Sequence, residues 1–227
     1  MSFFKYLFDR IKENPHIVFF YIVISLLSYY LLKNIFGIDL NSITKDNFKD
    51  YVFSYKYYSL LALSFTINAF FSAGIWYSAA FEKELSFEDY FKKCFYFFKR
   101  FLVFGFLGFV ILMFLLFPMF LESRIALLFY ALIVMFVLFY FGIKLSLAPA
   151  YVVYLDLGVL ESFKRSYFSV KGVYFWIIVF ASLIKNFLSK NVILSSFFEV
   201  CMILLYCYLF VKIKLEEDKK EEEVILS

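Results

Sequence analysis

The sequence predicts an all-α, polytopic membrane protein with six transmembrane helices and three cytoplasmic amphipathic interfacial helices. Three observations predict it. The 227-residue chain is 64% hydrophobic, with 36 Phe and a mean hydropathy of +0.81, whereas soluble domains are only about half apolar. Its apolar residues come in long continuous runs rather than alternating. In lipid, only helices and closed barrels satisfy their own backbone groups, and continuous runs select helices. Finally, a short basic and aromatic segment recurs ahead of each pair of runs.

The elements follow in order. Segment 4–12, "FKYLFDRIK", puts apolar side chains at Phe4, Leu7, Phe8 and Ile11 with Lys5 and Lys12 beside them, the pattern of a helix lying in the headgroup plane. Asn14-Pro15 ends it. The run 17–36 is too long for a signal-peptide core and has no small-residue cleavage site after it, so it reads as a retained span. Between residues 44 and 57 an amphipathic helix is expected, with Phe48, Tyr51, Val52 and Tyr55 on one face. Further spans are expected at 58–80, 101–121, 125–148, 173–188 and 197–213, each near the ~20 apolar residues a bilayer requires. Pro149 removes a backbone donor and marks a kink if the fourth span continues to Leu155. The tail, 214–227, is a charge run expected to extend the last helix into solvent.

The recurrence ties these elements together. "FKKCFYFFK" (91–99) aligns with "FKRSYFSVK" (163–171), and both align with 4–12. Lys5, Lys92 and Lys164 share one position; Lys12, Lys99 and Lys171 share another. Each copy precedes two runs, giving units of about 1–80, 86–148 and 158–213 within a membrane domain of 1–213. Such parallel repeats are usually related by an axis along the membrane normal. With two spans per unit, every copy returns to the same face. Sixteen of the 23 Lys and Arg residues then fall on the side of the two termini. Basic residues favour the cytoplasm, which places both termini there. Trp76 and Trp176 fall near that same interface.

The stretch from Lys144 to Trp176 carries a resemblance. Lys144-Leu145-Ser146-Leu147-Ala148-Pro149, then Asp156, Lys164-Arg165-Ser166, Lys171-Gly172 and Trp176 resemble the signature of a broad family of six-helix bacterial and archaeal membrane proteins. That family includes the membrane domain of glycerophosphoryl diester phosphodiesterases. The resemblance implies a six-span fold. It implies no phosphodiesterase activity, because in that family the activity belongs to a separate soluble barrel.

Lys144 lies near the inner end of the fourth span. It either snorkels to the headgroups or pairs with an acid: Asp156, Glu161, or Glu82 and Glu84 arriving at the same face. Glu82 and Glu84 are favoured partners, because Asp156 lies about 18 Å along an uninterrupted helix. Ser196-Phe197-Phe198-Glu199 fits a capping box at the start of the sixth span; alternatively Glu199 lies within the membrane. Lys92, Lys93, Lys99, Arg100, Lys164, Arg165 and Lys171 form the candidate contact with anionic lipid headgroups. Cys94, Cys201 and Cys207 read as apolar fillers. One His and no metal-ligand spacing argue against metal chemistry, and no cofactor is expected. Nucleic acid is not an expected partner, because Glu82, Glu84, Glu88 and Asp89 interrupt the basic run. The expected function is therefore a non-enzymatic, multi-pass cell-membrane protein that organises or senses the lipid interface or anchors a protein partner. The alternative is a transporter or the membrane subunit of one.

Overall fold

The computed structural model describes residues 2–30, 55–81, 86–116, 124–188 and 192–226. Among these, all regular structure is helical: α1 (Phe3–Glu13), α2 (His16–Tyr30), α3 (Tyr55–Ala80), α4 (Phe87–Leu116), α5 (Arg124–Lys144), α6 (Ala148–Leu155), α7 (Val159–Ser169), α8 (Gly172–Leu188) and α9 (Val192–Leu226). The amphipathic helix expected at 44–57 falls largely outside the described residues.

Local chemistry explains the helix ends. Ser2 caps α1 by accepting from Lys5 N. The helix stops at Glu13, before Pro15 removes a donor from the ladder. At α4, Ser86 Oγ accepts from Asp89 N (3.1 Å) and donates to Asp89 Oδ2 (2.7 Å), a variant of the reciprocal capping box. From there α4 runs 30 residues without a break, because no Gly or Pro interrupts its amphipathic start. α7 and α8 are separated by Val170 and Lys171, and α8 opens on Gly172, whose φ of +55° suits a residue without Cβ. Across that point the chain bends by 103°.

α9 is the hub, touching α1, α2, α3, α6 and α8. Its inner face carries Val200, Leu204, Cys207 and Phe210, all buried. The most extensive pairing is α3 with α4, and it depends on Gly74. A Cβ there would lie 2.4 Å from Cys94 Sγ and 2.6 Å from the Tyr90 ring. Tyr90 in turn stacks on Phe20 of α2 with ring centroids 4.7 Å apart. Small residues at helix crossings let backbones approach in this way. Cys94 and Cys207 are buried free thiols, consistent with packing roles.

The exterior is apolar. Phe129, Ile133, Met135 and Phe136 on α5, and Val173, Trp176 and Phe180 on α8, are all exposed. Segments Leu132–Leu155 and Leu194–Asp218 are long and apolar enough to cross a membrane, and the bent pair α7–α8 makes a third if taken as one span. An outside of this kind suits lipid rather than water.

Candidate functional site: a clamped helix and two ion pairs

Two of the signature residues, Lys144 and Ser166, meet where α5 gives way to α6. In an unbroken helix Lys144 O would accept from Ala148 N. Here Ala148 N bonds Leu145 O (3.0 Å), taking the carbonyl that Pro149 has no N–H to reach. Ser166, fully buried on α7, repairs what the break leaves open. Its hydroxyl donates to Lys144 O (2.8 Å) and accepts from Leu147 N (3.1 Å). One side chain thus satisfies two backbone groups that would otherwise be costly to bury.

Lys144 reaches the other way. Its Nζ donates to Val170 O (2.7 Å) and Tyr167 O (3.2 Å), the last carbonyls of α7, and lies 5.0 Å from the centroid of the Tyr167 ring. A cation at a helix C-terminus meets both unpaired carbonyls and the negative end of the dipole. Tyr151 and Ser169 hydroxyls close the contact at 2.6 Å. The expected partner is a carboxylate or the headgroup layer; the acceptors in the structure are backbone oxygens. Glu82 and Glu84 lie outside the described residues.

Asp156 and Glu161, the other acids weighed for Lys144, are engaged elsewhere. Asp156 sits at the end of α6 with a φ of +55° and binds Arg100 Nη1 (2.5 Å) and the Tyr96 hydroxyl (2.8 Å) of α4. The Arg100 hydrogen bond, then that of Tyr96, holds its carboxyl below the usual range. Glu161 binds Arg165 one turn along α7 at 3.0 Å.

These contacts divide the seven candidate headgroup residues. Arg100 and Arg165 hold carboxylates, and Lys92 pairs with Glu88 at 2.6 Å. Lys93 lies over the Tyr77 ring at 4.7 Å. Lys99, Lys164 and Lys171 are exposed and make no ion pair among the described residues. Lys5 and Lys12 of α1 are exposed as well.

Two further features were not identified as sites from sequence. Arg10 is 4% exposed, lies 5.1 Å from the Tyr6 ring centroid, and has Nη1 3.7 Å from Glu13. Tyr6 donates to Ala79 O of α3 at 3.1 Å, and burial raises its hydroxyl above the ordinary range. In the repeat frame Arg10 takes the place of Phe97, which is buried, and of Ser169, which is half-buried. The second is an ion pair between Lys185 of α8 and Glu199 of α9. α9 begins at Val192, so Ser196 and Glu199 do not form its capping box. Both charges line a groove of about 300 Å³ between α5, α8 and α9. Among the described residues no group of three or more His, Cys, Asp or Glu is placed to hold a metal. No family model matches the chain, and no curated protein or solved structure matches it either.

Proposed function

We propose that this chain is a non-enzymatic, six-span membrane protein built from three units. α1, the first turns of α4 and α7 rest in the cytoplasmic headgroup layer, and both termini are cytoplasmic. Its role on this reading is to organise or sense the lipid interface, or to anchor a partner there. The observation that carries it is the shared exposure pattern of the three segments. Leu7, Cys94 and Ser166 are all buried, while Lys5, Lys92 and Lys164, and again Lys12, Lys99 and Lys171, are all exposed. The 103° bend between α7 and α8 supports it too: with α8 near the membrane normal, α7 lies close to the membrane plane. Phe4, Phe8, Phe95 and Phe168 are exposed apolar groups on these segments, suited to the acyl boundary. The reading fits the six-span family named from the signature, whose residues here serve the fold rather than a reaction. Transport remains the second reading, favoured by the charged groove beside α5.

Two measurements test the proposal. In a background with Cys94, Cys201 and Cys207 replaced, Lys164→Cys should react with an impermeant maleimide only after cells are permeabilised. Labelling in intact cells refutes the orientation. In vesicles, the Lys99→Gln, Lys164→Gln, Lys171→Gln variant should lose preference for phosphatidylglycerol. At ~1 kcal/mol per basic residue the loss is on the order of 100-fold in relative affinity. An unchanged preference refutes the headgroup role.

A further inference from the structure

We propose that the groove between α5, α8 and α9 binds a zwitterionic phospholipid, its phosphodiester on Lys185 and its ammonium on Glu199.

Composition and position both lead there. The lining combines Leu138, Phe139, Ile143, Ile178 and Met202 with a single cation and a single anion. Glu199 and Tyr206, and Ile178 and Lys185, are each seven positions apart, so the groove runs ~10 Å along both helices. Its charged end lies toward the end of α8 and the start of α9; the rest is apolar apart from Ser182 and Tyr206. The flanking surfaces of α5 and α8 expose Phe136, Phe180 and Ile184. An occupant therefore arrives from the hydrocarbon layer with its chain along the apolar walls and its head against the ion pair.

The charges choose the head. Ionised side chains within a span are costly and mark functional positions by default. The two side chains remain 24% and 32% exposed, so a ligand can reach them. Neither sign is in excess among the lining residues. A purely anionic head would set a second negative charge against Glu199. A head with one phosphodiester and one ammonium replaces the internal pair with two pairs, at no change in net charge.

Gly142 supplies the test. It lines the groove, and a Cβ added to it meets nothing within 4 Å, so Gly142→Phe can fill the space while leaving the ion pair in place. The full chain carrying Lys99→Gln, Lys164→Gln and Lys171→Gln, so that the basic face adds no response of its own to phosphatidylglycerol, is melted in a neutral maltoside detergent with phosphatidylethanolamine, phosphatidylglycerol or chain-free glycerophosphoethanolamine. Phosphatidylethanolamine at a hundredfold excess over its Kd should raise Tm by about 5–10 °C. Phosphatidylglycerol and the chain-free head should raise it far less. The shift should disappear in Gly142→Phe and in the double variant Lys185→Met, Glu199→Gln, which removes both charges together and strands neither. An equal shift in Gly142→Phe, or with phosphatidylglycerol, overturns the assignment. A full shift from the chain-free head shows that the chain is not recognised and overturns it as well.

Discussion

Replacing Lys144 by Met removes an ammonium and keeps most of the apolar stem. The ammonium donates to Val170 O at 2.7 Å and Tyr167 O at 3.2 Å, and both oxygens lose that charged donor. A hydrogen bond from a charged group contributes about 1.5–3 kcal/mol. The longer contact counts for less, and the dipole interaction overlaps with the bonds themselves. The expected loss is about 2–3 kcal/mol. For a chain of this length each kcal/mol moves Tm by about 2–4 °C, so Lys144→Met should melt about 5–10 °C below the parent. Lys144→Arg keeps the charge but presents a wide planar fork to a site made for a compact ammonium; it should recover about half. The assay is thermal unfolding in detergent and in nanodiscs, followed by the fluorescence of Trp76 and Trp176. Trp176 stands near the start of α8, close to the clamp. If Lys144→Met melts within about 1 °C of the parent in both media, the lysine merely snorkels and the clamp argument fails.

Two further substitutions probe other joints. Gly74→Ala forces a methyl group against Cys94 and Tyr90, and overpacking of this kind costs about 1–3 kcal/mol; a lower Tm by several degrees checks it. Asp156→Asn keeps the shape and tolerates the left-handed backbone while removing the charge that Arg100 holds. The folded carboxyl titrates below the ordinary value of about 3.9. Its contribution is therefore full above that value and is lost as pH falls through the depressed folded pKa. Because Asp156 is more than half exposed, the effect should stay under about 1 kcal/mol. Parent and variant should differ slightly in Tm at pH 7 and converge in strong acid.

Much of the helical outline was legible because its determinants are local. Asn14-Pro15 and Gly172 interrupt helices as their backbone preferences require, and α4 continues because nothing in its sequence stops it. Pro149 lies in the first turn after a break, and the last helix extends into its charged tail. The start of α9 was less legible. Ser196 and Glu199 have capping-box spacing, but the apolar residues from Val192 carry the helix past them. The partner of Glu199 is Lys185, 14 positions earlier on another helix, a tertiary fact that local spacing does not encode. Lys144 shows a second limit. Sequence reading pairs a buried cation with an acid, yet the acceptors here are main-chain oxygens, which every residue has and no residue type reveals. Arg10 shows a third: its burial against Tyr6 follows from the packing of α1, which no charge count reveals.

The grip of Lys144 and Ser166 on α7 also sets a dimension. If α7 lies in the headgroup plane, as proposed, its height would be fixed against the end of α5, because the short Ser166 side chain bonds two backbone groups at the break. A bilayer thicker or thinner than the protein's own apolar height could not be met by sliding α7 along the bundle. The mismatch would instead be absorbed by tilting the helices or deforming the lipid nearby, at a fraction of a kcal/mol per ångström. On the proposed placement of α7, such a chain would carry its own ruler for membrane thickness.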